Sequence, residues 1–168
     1  MAEQGRVISV SLSATGGVPK YPQQTITVGA QGVEGDHHAG PINKHKKSGD
    51  PEPNHRQITI VSQEVLMDLN SRLDIELKPG DLAENVLVSD LGDLTQFEEG
   101  DRLQLGDDVV LEVTGHNRPC DLIRQYHPTL VEEITGLRGL ATVVVNTGAV
   151  GAGDACLVIE SNDSAQGE

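Results

Sequence analysis

Tryptophan is missing from this chain, and two Tyr and one Phe are all of its aromatic residues. Any core has to be aliphatic, and the many Val, Leu and Ile residues can supply it. Cysteine is nearly as scarce, with two residues among 168. That is too few for a disulfide framework and points to a reduced, cytoplasmic setting. No apolar run approaches the ~20 residues that a membrane helix needs. The start, Met1-Ala-Glu-Gln-Gly-Arg-Val7, lacks the cationic and apolar stretches of a signal peptide. Positive charge is short too: 12 Lys and Arg stand against 26 Asp and Glu, a formal net charge of −14. Nucleic acids and anionic membranes need a basic footprint, so neither is expected as a partner. CxxC, HExxH and other zinc spacings are absent, as are flavin and iron–sulfur motifs.

Turn chemistry, by contrast, is abundant. The chain has 19 Gly and 8 Pro, and the dipeptide Gly-Asp recurs seven times, beginning at Gly35, Gly49, Gly80, Gly92, Gly100, Gly106 and Gly153. Glycine admits positive φ and Asp bonds to its local backbone, so these dipeptides mark turns. Short segments, several of them β-branched and bounded by Gly, Asp or Pro, read as strands: 6–13, 25–28, 57–61, 85–88, 102–105, 109–114, 141–146 and 155–160. The spacing predicts a mainly β fold, an antiparallel barrel or sandwich, with a few short peripheral helices. One helix follows Ser62 as N-cap, with Leu66, Leu69 and Leu73 on a shared face. Another follows Thr129, where Thr129 and Glu132 have capping-box spacing and Gly136 is a natural stop. Residues 1–160 read as one domain, 161–168 as a frayed polar tail, and 41–54 as a second flexible candidate.

Four segments could carry chemistry. Cys120 follows Arg118 and Pro119 and precedes Asp121. A neighbouring cation favours a thiolate, the form that attacks or ligates metal, and the rigid proline presents the side chain at a strand end. Cys156 lies in an apolar strand and reads as core. Between Asp36 and Arg56 sit Lys44, Lys46, Lys47 and Arg56 together with His37, His38, His45 and His55, a cationic enclave in an acidic chain. It is either an anion funnel or a solvated loop; Arg56, opening a strand, is the strongest anion ligand in it. Gly32-Val-Glu-Gly-Asp-His-His-Ala-Gly40 brings glycine backbone close to a ligand around Gly35 and Asp36. His37 and His38, adjacent on an extended chain, would point opposite ways. Glu84 and Asn85, in Gly80-Asp-Leu-Ala-Glu-Asn85, either anchor a turn or orient a polar ligand. Gly148 to Gly153 lies between strands and opens no helix, so it reads as a hairpin and not a phosphate loop.

In order, the Gly32–Gly40 segment, Arg56-Gln57, Gly80 to Val86, Gly100 to Gly106, Glu112-Val-Thr114 with Arg118-Pro-Cys120, and Gly148 to Asp154 resemble a stand-alone MOSC domain, the C-terminal domain of molybdenum-cofactor sulfurases. The resemblance runs from about Val7 to Ile159. It implies a β-barrel with peripheral helices and puts the family's cysteine at Cys120. It further implies a molybdenum–pterin cofactor with Cys120 as molybdenum ligand. Gly35, Asp36, His37, His38, Lys44, Lys46, Arg56, Glu84, Asn85 and Arg118 would surround that cofactor. One departure is His37, where relatives commonly have Arg after Gly-Asp.

Three readings stay open. In one, the chain reduces N-hydroxylated substrates at the cofactor, with electrons from a separate donor protein. In the second, Cys120 carries persulfide sulfur from a partner desulfurase, which would itself hold pyridoxal phosphate. In the third, the barrel is a non-catalytic module for an anionic small molecule.

Overall fold

The computed structural model describes residues 4–46 and 48–159; Lys47 and the predicted 161–168 tail lie outside the described residues. Seven strands close into a barrel: β1 (Gln4–Leu12), β11 (Ala155–Ile159), β7 (Arg102–Leu105), β8 (Val109–His116), β9 (Leu140–Asn146), β5 (Ile58–Ser62) and β6 (Val86–Ser89), with β6 returning to β1. A short β2 (Tyr21–Gln23) pairs with the end of β1. A second sheet orders β10 (Gly148–Gly151), β3 (Thr25–Gly29) and β4 (Gly32–Val33). The expected β-barrel is therefore observed. All seven Gly-Asp glycines have positive φ, from 65° to 97°, so each turn uses the freedom that only glycine has at low cost. Among the described residues, no helix is long and apolar enough to cross a membrane.

Strand burial explains the two cores. In β8, residues 109–114 alternate buried and half-buried, the period-2 pattern of a strand with one face inward. β5 and β6 are buried at every position. They pair in parallel across helix α1 (Gln63–Leu73), and a parallel pair covered on its outer side should be apolar throughout. Inside the barrel, Ile58, Ile60, Val86, Leu103, Leu111 and Cys156 belong to one cluster. Outside, Val61, Leu66, Leu69, Leu87, Ile123 and Ile134 form another, between β5/β6, α1, a 3₁₀ turn (Asp121–Gln125) and α2 (Leu130–Ile134).

Three sequence expectations need correction. The barrel is not wholly antiparallel, because β5 and β6, with α1 between them in the chain, pair in parallel. Gly148–Gly151 is itself a strand, pairing with β3 from Gly148↔Val28 to Gly151↔Thr25. The Thr129 capping box does not form: the Thr129 side chain makes no cap bond, its hydroxyl instead meeting His127 Nδ1 at 3.0 Å, while Glu132 is held by Arg124 at 2.9 Å. Ser62 does cap α1, accepting from Val65 N–H at 3.3 Å.

Asn85 joins three strands. Its side-chain amide donates to Ser11 O at 3.1 Å, and its Oδ1 accepts from Thr59 N–H at 3.1 Å. Asn85→Ala leaves both backbone groups buried and unpaired, so unfolding stability should fall by about 2–4 kcal/mol in urea denaturation with an unchanged m value. A loss below about 0.5 kcal/mol would show that these bonds are dispensable.

Candidate functional site

Thr59 points outward from β5, between the inward Ile58 and Ile60, and it floors a cavity of about 260 Å³. The walls come from several loops: Gly16–Val18 after β1, His37, His38, Lys44 and His45, Arg56 before β5, Ala83 before β6, Asn117, Arg118, Cys120 and Leu122 after β8, and Arg138 before β9. Each loop is fixed locally. Gly139 has φ +93°, and a Cβ there would lie 1.9 Å from Ile60 O. That close approach draws the chain against β5 and buries Arg138. Gly80 likewise backs onto Lys20, where a Cβ would lie 2.2 Å from its carbonyl oxygen. Ala83 has φ +60°, a left-handed conformation uncommon for alanine, held by a 2.9 Å bond from its N–H to Gly80 O.

Cys120 is exposed and N-caps the 3₁₀ turn, its Sγ accepting from Leu122 N–H at 3.5 Å. Around it stand three arginines. Arg118 is exposed. Arg56 donates through Nη2 to Asn117 Oδ1, and Asn117 is 7% exposed. Arg138, 4% exposed, donates through Nη2 to Leu82 O. Arg56 Nε and Arg138 Nε and Nη1 are buried and have no hydrogen-bond partner among the described residues. Burial pushes Arg138 down to about 10, with the Glu84 charge opposing and the Arg56 charge adding. Burial also lowers Arg56, helped by Arg118 and opposed by Cys120. At neutral pH both stay cationic. Buried guanidinium N–H groups without acceptors carry a desolvation cost that an anionic ligand would relieve.

The structure brings Cys120, Arg56, Arg118, His37, His38 and Lys44 to this one cavity. The two histidines both reach it because the chain turns there instead of running extended, with ring centroids 5.3 Å apart in an edge-on contact. The remaining residues named from sequence lie elsewhere. Asn85 is engaged with backbone as described. Glu84 is buried, one oxygen accepting from Gly80 N–H at 2.8 Å and the other unpartnered, and burial raises its carboxyl. Asp36 is buried against Lys20, 2.7 Å from its Nζ. Gly35 forms the turn, and Lys46 pairs with Glu52 at 3.9 Å. Asn54 closes the base of the 41–54 loop, donating to His38 O at 2.8 Å and Gly40 O at 2.9 Å.

Arg138, Asn117 and Lys20 escaped the sequence reading. Arg138 sits in Gly136-Leu-Arg-Gly139, and an arginine between two glycines in a strand-entering turn is the one signal that could have exposed it.

Residues 34–156 match the MOSC domain model. Among similar proteins, YuaD of Bacillus subtilis (strain 168), provisionally named for metal-sulfur cluster biosynthesis, is 33% identical over 144 residues, 73% of each chain. The crystal structure of YuaD superimposes with a TM-score of 0.84 at 26% identity, covering 95% of this chain and 99% of that one. YiiM from Geobacillus stearothermophilus shares the fold, with a TM-score of 0.68 at 20% identity over 93% of this chain and 75% of its own.

The two thiols differ in access. Cys156 is fully buried and its thiol is pushed up to about 12 by burial. Iodoacetamide should therefore modify one cysteine in the folded protein, Cys120, and two in urea, read by intact mass and peptide mapping. Rapid labelling of Cys156 under native conditions would contradict this packing.

Proposed function

The chain belongs to the MOSC domain family, and on that premise we propose that it binds an anionic cofactor of the molybdenum–pterin type beside Cys120. The observation that carries this reading is the set of buried guanidinium nitrogens on Arg56 and Arg138 that lack acceptors. The donor set fits the group. Arginine is suited to phosphate and other oxyanions through its planar fork, and a thiolate is a soft ligand suited to molybdenum. Arg56, Arg118 and Arg138 would hold the anionic portion, and Cys120 would supply the sulfur ligand. Bound there, the cofactor would supply oxygen-atom acceptance from an N-hydroxylated substrate, with electrons from a separate donor protein. The protein's own contribution is charge, orientation and a half-enclosed wall: Thr59 and Ala83 form its floor, and Leu122 gives it an apolar side.

A second reading, sulfur carriage, is favoured by the exposure of Cys120, which a partner protein's active cysteine could reach. The name given to YuaD points the same way. In this step the Cys120 thiolate attacks the outer sulfur of a desulfurase persulfide. The partner's S–S bond breaks, one forms at Cys120, and the partner cysteine leaves as thiolate, with no net oxidation. The arginines would then steady the anionic persulfide.

Protein purified anaerobically from a host that makes the cofactor should carry molybdenum and pterin. Cys120→Ala should lose metal, and Arg138→Met should bind cofactor about 10- to 150-fold more weakly, the equivalent of one charge-assisted hydrogen bond. Equal metal content in the parent and Cys120→Ala removes the thiol from ligation. Incubation with a pyridoxal-phosphate desulfurase and cysteine should add one sulfur atom by intact mass to the parent and none to Cys120→Ala; an unmodified parent removes sulfur carriage.

A further inference from the structure

Beneath the cavity lies a polar cluster that the arginine reading does not use. Lys20 is 2% exposed and Asp36 is 6% exposed. Lys20 Nζ is 2.7 Å from each Asp36 carboxylate oxygen and 3.1 Å from His38 Nδ1. Asp36 is itself held as a carboxylate, accepting from Ser13 N–H at 3.0 Å and His38 N–H at 3.2 Å. A carboxylate with both oxygens on Nζ keeps Lys20 an ammonium, which has three protons and no lone pair. Three acceptors surround it, so each takes one proton, and His38 Nδ1 has to be the lone-pair nitrogen. Neutral imidazole carries its single proton on the other nitrogen. An imidazolium, or the opposite tautomer, would set N–H against N–H.

We propose that Lys20 is a positioning residue that locks His38 as the neutral Nε2–H tautomer, an uncharged hydrogen-bond donor for an oxygen acceptor on the cavity's ligand. The ligand half of this proposal rests on the anion-pocket reading above; the tautomer half stands on Lys20, Asp36 and His38 alone. His38 lines the cavity, and Nδ1 is the nitrogen turned to buried Lys20. Four charged or titratable neighbours face the ring or its loop: Lys20 below, His45 stacked at 4.6 Å, the His37 ring edge-on, and Lys44, which donates to His37 O; the Asp36 carboxylate alone acts the other way, favouring the imidazolium, and its two oxygens are taken up by Lys20. Burial, with the Lys20 charge adding, lowers His38 to about 3.

This division has a chemical consequence. A histidine with Nδ1 engaged and Nε2 protonated cannot accept a proton from Cys120, so the cavity holds no Cys–His38 base pair of the hydrolytic kind. Charge selection rests on the arginines, and His38 selects an acceptor atom.

The test uses the full chain labelled with ¹⁵N-histidine and ¹⁵N-arginine, with His38, Arg56 and Arg138 assigned by loss of their signals in His38→Gln, Arg56→Lys and Arg138→Lys. Long-range ¹H–¹⁵N spectra should show His38 fixed as Nε2–H and neutral at both pH 7 and pH 5. A protonated Nδ1, a fast tautomer mixture, or an imidazolium at pH 5 overturns the lock, whatever the pocket binds. Inorganic phosphate should then shift His38 Nε2 together with the Arg56 and Arg138 side-chain signals. Shifts at the arginines with none at His38 overturn the donor role and leave the anion pocket standing. His38→Gln, which keeps a donor, should hold phosphate within about threefold of the parent, and His38→Leu should lose about tenfold; equal losses in the two variants overturn the donor role without requiring Lys20 variants to fold.

Discussion

A guanidinium taken out of water needs acceptors or a counter-charge, and Arg138 has received little of either. One nitrogen reaches Leu82 O, and two others lack partners among the described residues. Glu84 acts on it through space, opposing the effect of burial. An arrangement like this survives only if the surrounding packing over-determines it. Gly139 supplies that constraint, since its backbone lies so close to Ile60 that no side chain fits. The aliphatic clusters on both sides of β5 hold that strand still, at about 1.5–3 kcal/mol for each fully buried large side chain. Barrel stability is thus the source from which the cavity's electrostatic strain is sustained.

What could be read from sequence was local and repetitive. Seven Gly-Asp turns and eight short strand candidates, several of them β-branched, predicted the barrel because each depends on chemistry within a few residues. The Ser62 cap was legible for the same reason. The Thr129 cap was not formed because Arg124, eight residues before Glu132, claims that carboxylate, a competition that capping spacing cannot display. The parallel β5–β6 pair was hidden because residues 57–61 and 85–88 look alike whichever way they pair. At the site, Cys120, Arg56 and Arg118 announced themselves through their neighbours in the chain. Arg138 and Lys20 did not, since their importance arises from contacts across 56 and 16 residues of chain. Asn85 stood in a motif, and only its partners distinguish a strand-joining amide from a ligand contact.

Net charge and local charge pull in opposite directions here. A chain of −14 repels anions at long range, but at physiological salt that field fades within ~8 Å. Inside the cavity, partly buried guanidinium groups act through a lower dielectric, where charge interactions are stronger. On the proposed reading, the acidic exterior would disfavour large polyanions at the basic wall, while a small anion that entered would meet only the local field. Selectivity by size would follow from this separation of ranges.

The family resemblance leads to an expectation of arginine at His37, and the surrounding contacts show what the histidine does in its place. His37 N–H is bonded to Ser13 O at 2.7 Å, and its ring packs against Gly16, so the residue serves the loop as well as the cavity. The cationic role falls instead to Arg56, Arg118 and Arg138, and Lys20's charge is committed to Asp36. If cations alone ringed the cavity, any small anion would satisfy it about equally well. A neutral donor fixed at His38 asks additionally for an acceptor at one position, and a soft sulfur at Cys120 asks for a centre that thiolate can bind or attack. Three requirements of different chemistry restrict the ligand more than added positive charge could, because charge is shared by all anions and the other two are not.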